Sequence, residues 1–201
     1  MHVLGRFTCM CALKCFFVKV KINGNIPQNR SLIIMYNHSS FIDAFLFAYA
    51  TPGESTGIVA IENYKYPIFG RMLKKWKAIP IDRSNIETSK ESIGKGAEAL
   101  KNGYNVVILP EGTRTISGKI KKFKKGGFHM AINAKAPILP IGSKGAFTFK
   151  PKNRWYIKPG TIELNVGELI EPDRYEELGI NGLANEVRHQ MQQLTGCELE
   201  E

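Results

Sequence analysis

The distribution of apolar residues along the chain predicts short strands separated by helices. Residues 18–22 alternate between apolar and polar positions and run into a turn, which indicates a strand. Other runs are almost continuously apolar, as in strands that are buried on both faces. On these patterns we predict strands over 18–22, 31–36, 105–109, 138–141, 155–158 and 161–166.

Between these strands, apolar residues recur at the three-to-four-residue spacing of helices. One helix-like stretch follows His38 and runs through Phe47, and a second helix is predicted to begin at a Ser84 cap and to end at Gly103. Further helices are predicted over 127–135 and 183–194. Strands that alternate with helices predict an α/β fold: a layered single domain with a partly parallel sheet flanked by helices.

The first twenty residues form an apolar stretch that carries three positive charges, Arg6, Lys14 and Lys19. A membrane-spanning helix needs roughly 20 mostly apolar residues, and a signal peptide has its charges ahead of the apolar run, so we expect neither. We divide the chain into an N-terminal amphipathic, interfacial segment, residues 1–17, and a domain, residues 18–201. The segment either lies in a membrane interface or packs on the domain as a helix, and the sequence leaves both open.

The charge balance points to an anionic partner. The 201 residues include 28 Lys and Arg against 18 Asp and Glu, for a formal net charge of +10. Nucleic acid, a phospholipid surface and a phosphate-bearing substrate all fit such a surplus. Nucleic acid is not expected, because no nucleic-acid-binding motif with interleaved stacking aromatics is present. No metal site is expected either, because the cysteines lack partners at metal-ligand spacing. Three of the four cysteines lie within residues 9–15, which suits a reducing, cytosolic setting.

His38 and Asp43 are the first candidates for chemistry. His38 directly follows a predicted strand, and Asp43 lies one turn into the predicted helix, so the two side chains can meet. An imidazole titrates near neutral pH and accepts a proton from a hydroxyl best when a carboxylate holds its other nitrogen. The alternative is a structural histidine that is simply hydrogen-bonded, which is the commoner role of such a pair.

Three further features are candidates for binding an anion, and the first of them follows a predicted strand end. Pro110-Glu111-Gly112-Thr113-Arg114 combines a glycine that allows a tight turn with a guanidinium suited to phosphate oxygens. Arg83 is a second arginine placed just before a helix, and residues 119–125 form a basic stretch suited to anionic head groups. A turn with a surface ion pair, a helix-start ion pair and a solvated loop are the respective alternatives.

The order and spacing of these elements resemble those of the PlsC-type 1-acylglycerol-3-phosphate acyltransferases, the lysophosphatidic acid acyltransferases. The family's Asn-His-x4-Asp block is similar to residues 37–43, and its Pro-Glu-Gly-Thr-Arg block is complete at 110–114. The remaining blocks are similar to Ile-Pro-Ile-Asp-Arg at 79–83, Phe-Lys-Lys-Gly at 123–126, Pro-Ile-Leu-Pro-Ile at 137–141 and Pro-Gly at 159–160.

The resemblance implies acyl transfer from acyl-CoA or an acyl carrier protein to the sn-2 hydroxyl of 1-acylglycerol 3-phosphate, making phosphatidic acid without any other cofactor. It implies that His38 is the general base and Asp43 its orienting partner. The glycerophosphate site of the acceptor would be formed by Arg83, Glu111, Gly112, Thr113 and Arg114, with the arginines carrying the phosphate charge. The enzyme would be associated with the cytoplasmic face of a membrane. The open alternatives are another acceptor, such as a lyso-ornithine lipid or another lysophospholipid, and a non-catalytic basic lipid-binding protein.

Overall fold

A computed structural model describes residues 2–200; residues 1 and 201, which fall in the predicted N-terminal segment and the predicted domain, lie outside the described residues. The strands are β1 (Val18–Asn23), β2 (Ile33–Tyr36), β3 (Ser55–Ala60), β4 (Ile79–Ile81), β5 (Asn105–Ile108), β6 (Ile138–Lys144) and β7 (Gly160–Val166). The helices are α1 (His2–Cys15), α2 (Asp43–Ala50), α3 (Pro67–Lys75), α4 (Ile86–Lys101), α5 (Gly126–Ala134), α6 (Ala146–Phe149) and α7 (Tyr175–Thr195).

The strands form one sheet in the order β1-β7-β6-β2-β5-β3-β4. The five strands from β6 to β4 are parallel to one another. β7 runs antiparallel to β6, and β1 runs parallel to β7, so this edge pair is reversed. The partly parallel α/β sheet predicted from the sequence is confirmed. Because these five parallel strands share one direction, their carboxyl ends meet at a single edge of the sheet, where ligands bind in such folds.

Side chains that alternate along each strand build a core on both faces of the sheet. In β2, Ile34 and Tyr36 face α1 and α2, whereas Ile33 and Met35 face α4, α5 and α7. All four are fully buried, which explains the continuous apolar run, since each buried side chain of this size contributes about 1.5–3 kcal/mol. A strand with both faces covered is a rigid support for the loop that follows it.

Two predictions about helix ends differ from the structure. Asn85, not Ser84, caps α4: its Oδ1 accepts hydrogen bonds from Glu87 N at 2.9 Å and Thr88 N at 3.3 Å. Ser84 instead donates both its backbone N–H and its hydroxyl to Asp82 Oδ1. The last helix was predicted from residue 183, and α7 extends back to Tyr175 only across a kink at Gly179, whose φ of 57° and ψ of 176° are not helical.

The segment 155–158 is not a strand, and that prediction was wrong. It lies in an irregular loop whose backbone is bonded locally rather than to the sheet: Lys158 N donates to Phe149 O at 2.9 Å. Strands β7 and β6 are already paired on both edges, which leaves no free position for another strand there. β3, α3 and the short α6 were not predicted. In β3, Ser, Thr and Gly are mixed with the apolar residues, so the apolar run is broken.

Helix α1 packs against α2 and the sheet. Cys9 and Leu13 are buried in this contact. Phe7 on the helix and Phe17, which lies just after the helix, remain exposed. The ring of Phe16 packs edge-on against aromatic residues of α2 and its neighbouring turn. Over residues 2–200, no helix combines the length and the apolar character needed to cross a bilayer. All four cysteines are free thiols.

Candidate active site

His38 and Asp43 lie at the carboxyl edge of the sheet, in the turn that links β2 to α2. We call residues 37–42 the His38 turn. His38 Nδ1 lies 2.8 Å from Asp43 Oδ2, and the same oxygen accepts the backbone N–H groups of Ser39 and Ser40, each at 2.9 Å. The structure therefore brings the two predicted side chains together and uses the carboxylate to shape the turn.

The surroundings of Asp43 hold its carboxylate in one orientation. Its side chain is 1% exposed, and that of His38 is 20% exposed, so the imidazole reaches solvent while its partner does not. Asp43 is the first residue of α2, where the helix dipole favours a negative charge. Its second oxygen, Oδ1, is buried and has no hydrogen-bond partner among residues 2–200. Because Nδ1 faces the carboxylate, we assign the Nδ1–H tautomer, which leaves Nε2 as a proton acceptor.

Asn37 joins the His38 turn to strand β6. Its Oδ1 accepts from Ser143 N at 2.7 Å, and its Nδ2 donates to Ser143 O at 3.2 Å. Both bonds are buried, so each holds the backbone strongly. We did not single out Asn37 as a site residue from the sequence, although a polar residue directly after a buried strand is a usable signal for such a role.

The segment from Glu111 to Thr115 holds the backbone of His38 on both of its polar groups. Glu111 Oε1 accepts from His38 N at 2.6 Å, and Thr115 N donates to His38 O at 2.9 Å. The other oxygen of Glu111 accepts from Lys121 N at 3.1 Å. The carboxylate is 4% exposed, and this burial raises the pKa of Glu111 to about 7, although its two backbone hydrogen bonds act to lower it. Glu111 therefore positions His38 through the backbone, a contact that the sequence does not reveal.

A cavity of about 340 Å³, which we call the basic cavity, opens beside this segment. Lys121 donates from Nζ to Thr113 Oγ1 at 3.2 Å across it. Arg83 enters it from the carboxyl end of β4. Burial of the guanidinium lowers the pKa of Arg83, and the negative charge of Glu62 opposes that shift. The guanidinium stays protonated. The residues that line the basic cavity are Arg83, Glu111, Gly112, Thr113, Lys121, Lys122, Lys124 and Glu200.

Four of the five predicted acceptor-site residues meet at the basic cavity, and Arg114 does not line it. The Arg114 side chain is half-buried and has no hydrogen-bond or ion-pair partner within the described part of the chain. Gly112 adopts φ 76°, which a glycine tolerates, and its N–H closes the turn onto Leu109 O at 3.0 Å. Lys121, Lys122 and Lys124 come from the basic stretch noted in the sequence. Such a set of cations suits an anion with several oxygens.

A second, smaller cavity of about 200 Å³ adjoins the His38 turn. Asn37, Ser39 and Thr115 line it together with Ser143, whose buried hydroxyl has no hydrogen-bond partner among residues 2–200. Nowhere in the described chain do three His, Cys, Asp or Glu side chains come close enough together to hold a metal ion. The chemistry that the site offers is a proton-accepting imidazole beside a cluster of cations.

The fold and site define an α/β protein in which a histidine–carboxylate pair lies beside an anion-binding cavity, and the comparisons give its family. Residues 17–144 match the family model described as "Acyltransferase". The chain belongs to the acyltransferase family.

Named relatives agree with this assignment. A 1-acyl-sn-glycerol-3-phosphate acyltransferase of Cocos nucifera is 34% identical over 163 residues, covering 81% of this chain and 53% of the relative. One of Pseudomonas aeruginosa is 35% identical over 159 residues, covering 78% and 61%. The chain thus spans a little over half the length of these curated relatives.

A solved structure shows that the likeness extends to the fold. The crystal structure of the 1-acyl-sn-glycerophosphate (LPA) acyltransferase PlsC from Thermotoga maritima superimposes with a TM-score of 0.81 at 25% identity. The match covers 96% of this chain and 77% of that one.

Proposed function

We propose that this chain transfers an acyl group from a thioester donor to the sn-2 hydroxyl of 1-acylglycerol 3-phosphate, forming phosphatidic acid. The observation that carries the proposal is the placement of the His38–Asp43 pair next to the basic cavity at one edge of the sheet. The names of the relatives support the choice of acceptor. The phosphate of the acceptor carries up to two negative charges, which the cations of the basic cavity match.

In the proposed mechanism, His38 Nε2 takes the proton of the acceptor hydroxyl as its oxygen attacks the thioester carbonyl carbon. A C–O bond forms and a tetrahedral oxyanion results. The C–S bond then breaks, and the leaving thiolate takes the proton back from the imidazolium, so that a free thiol is released. Asp43 holds the ring and stabilises the transient imidazolium across the 2.8 Å contact. No covalent acyl-enzyme is required.

The acceptor phosphate binds through Arg83, Thr113 and the lysines of the basic cavity. Arg114 has a guanidinium free of other partners in the described chain and adds a planar donor pair close to the same turn. Glu111 and Gly112 shape the turn rather than contacting the phosphate. The donor is acyl-CoA or an acyl carrier protein, since both present a phosphopantetheine arm and both are acidic.

We place the enzyme at the cytoplasmic face of a membrane, with its N-terminal segment, residues 1–17, in contact with the lipid. The acceptor is itself a membrane lipid, and Phe7 and Phe17 are exposed on or beside α1. Four free cysteines suit a reducing compartment. These assignments follow from the proposed substrate.

A thiol-release assay tests the proposal. Purified protein is given palmitoyl-CoA with lysophosphatidic acid, glycerol 3-phosphate, lysophosphatidylcholine or lyso-ornithine lipid. We expect release only with lysophosphatidic acid, loss of release in His38→Ala, and normal release in the matched control His129→Ala, whose side chain is exposed on α5. Release with a different acceptor would redirect the substrate assignment. Silence with acyl-CoA and with acyl carrier protein would support a lipid-binding protein without catalysis.

A further inference from the structure

The loop between α6 and β7 exposes two aromatic side chains among positive charges. We call residues 150–158 the Trp155 loop. Trp155 is 90% exposed and Tyr156 is 43% exposed. The nine residues include four cations, Lys150, Lys152, Arg154 and Lys158, and no acidic residue. Because the two rings lie edge to face with their centroids 5.5 Å apart, they form one exposed aromatic surface rather than a lone apolar side chain.

The Trp155 loop is folded rather than loose, so the exposure of Trp155 is built in. Arg154 Nη2 donates to Thr148 O at 2.7 Å, and its Nε donates to Tyr156 O at 3.0 Å. Its guanidinium also lies 4.8 Å from the centre of the Tyr156 ring. The Lys150 ammonium donates to Arg154 O, which closes the loop on itself. These bonds hold the indole outward, where no part of the described chain covers it.

The Trp155 loop is attached directly to the His38 turn. Ser40 donates from Oγ to Lys150 O at 2.8 Å, and Ser40 N is one of the donors to Asp43. Phe149, which precedes the loop, packs against Phe41 of the same turn, with ring centroids 6.1 Å apart. Whatever the loop binds is therefore brought next to the candidate catalytic pair.

We propose that the Trp155 loop binds the head-group region of an anionic phospholipid bilayer, with the indole of Trp155 inserted and Lys152 and Lys158 against lipid phosphates. Indole rings prefer this depth, where their apolar body is buried and their N–H stays hydrated. Lysines near an anionic surface each add attraction. The proposal rests on the proposed function only in that a lipid acceptor must leave a bilayer to reach His38.

The way Trp155 projects from the surface favours a bilayer over a protein partner. Trp155 projects as a single ring without a surrounding groove, whereas protein interfaces place such residues in a packed, water-excluding centre. A bilayer accepts a projecting ring without any matching shape. The cations flanking it, Lys152 and Lys158, are both exposed and can reach a plane of phosphates. An acidic carrier protein would be attracted by the same charges, so vesicle binding and the KM for a carrier-protein donor must be measured separately.

The test uses Trp155 as its own probe. The chain has two tryptophans, and Trp76→Phe leaves Trp155 as the sole emitter with the loop unaltered. We expect a blue shift and quenching by lipids brominated on their acyl chains when vesicles contain phosphatidylglycerol, and little change with phosphatidylcholine alone. Unshifted emission on vesicles that co-sediment with the protein would overturn the proposal, because binding would then use another surface.

Variants give the magnitude and control for net charge. Trp155→Ala is expected to weaken partitioning about tenfold or more. The double variant Lys152→Gln/Lys158→Gln is expected to weaken it by about fivefold per lysine. The charge-matched control Lys90→Gln/Lys101→Gln changes α4, on the opposite face of the sheet, and should bind as wild type. Equal losses in the two double variants would overturn a specific role for the loop.

Activity distinguishes this inference from the proposed function. With a short-chain, water-soluble lysophosphatidate, Trp155→Ala should turn over like wild type, and with acceptor embedded in anionic vesicles it should lose rate in proportion to binding. A wild-type chain without activity on either acceptor would remove the proposed function while vesicle binding still tests the loop. Unchanged vesicle binding together with a raised KM for an acyl carrier protein donor would instead assign the loop to that protein.

Discussion

Replacing Asp43 by Asn isolates the electrostatic part of the candidate site from its structural part. The Asn amide oxygen can take the position of Asp43 Oδ2 and accept the same three N–H groups, from His38, Ser39 and Ser40. The amide nitrogen then replaces Oδ1, which has no hydrogen-bond partner in the described chain. The His38 turn should therefore keep its shape, while the negative charge beside the imidazole is lost.

The size of the loss follows from the distance and the burial. With Nδ1 and Oδ2 2.8 Å apart, the two charge centres lie about 4 Å apart, which is worth about 4 kcal/mol at an effective dielectric constant of 20. A neutral amide keeps about 1 kcal/mol as an ordinary hydrogen bond. The difference, about 3 kcal/mol, acts on the transition state, where the imidazolium forms. We expect kcat to fall by roughly two to three orders of magnitude.

Steady-state thiol release with lysophosphatidic acid and palmitoyl-CoA measures this effect. KM for the acceptor should stay near the wild-type value, because the phosphate site is untouched, and the far-UV spectrum and thermal midpoint should change little. Asp173→Asn, an exposed aspartate in the 3-10 turn before α7, is the matched control and should be fully active. A folded Asp43→Asn protein with a kcat within threefold of wild type would refute the role of the carboxylate.

Three further predictions concern the acceptor, the pH dependence of stability and the packing of the sheet. Arg114→Ala should raise the acceptor KM about tenfold or more without changing the donor KM, since a charge-assisted hydrogen bond is lost; equal changes in both KM values would contradict a phosphate contact. Burial raises the pKa of Glu111 to about 7, so the folded state binds the proton more tightly, and the stability this contributes at pH 4 is lost as pH rises through 7. Urea unfolding of Glu111→Gln should lack that decline, which amounts to about 3 kcal/mol in the wild type. Gly142→Ala should destabilise by about 1–3 kcal/mol in the same assay, because its Cβ would lie 2.5 Å from Leu194 Cβ, whereas Gly94→Ala has open space in α4 and should be neutral or stabilising.

The sequence was most informative where one local pattern decides the structure. The continuous apolar run of β2 and the polar residues directly after it predicted both a central strand and a site at its end, since a buried strand in a parallel sheet directs the next residues to the ligand-binding edge. His38 and Asp43 lie within one turn of each other, so their meeting depends only on the chain between them.

Features that depend on distant partners were beyond the sequence. Glu111 was predicted to belong to the acceptor site, and the sequence did not reveal that its carboxylate also accepts backbone N–H groups of His38 and Lys121, 73 and 10 residues away along the chain. The alternation at 155–158 resembles a strand, yet Arg154 folds that segment onto the end of α6. Periodicity describes which residues prefer burial and carries no information about which sheet edge is vacant.

The reversed edge pair has a consequence for how the chain folds. Within residues 2–200, β1 pairs with β7 alone. The side chains of Asn23 and Asn165, which are bonded across this pair at 2.7 Å, are 142 residues apart in sequence. During synthesis β1 therefore stays unpaired until β7 has been made. Pairing the two strands closes a loop of more than a hundred residues, and contacts of such high sequence separation form slowly. Lys19 and Lys21 lie on this strand and are the type of residue that discourages pairing with other chains. The pairing of β1 with β7 is therefore a contact of very high sequence separation, whereas the strands that bear the site pair with one another without it.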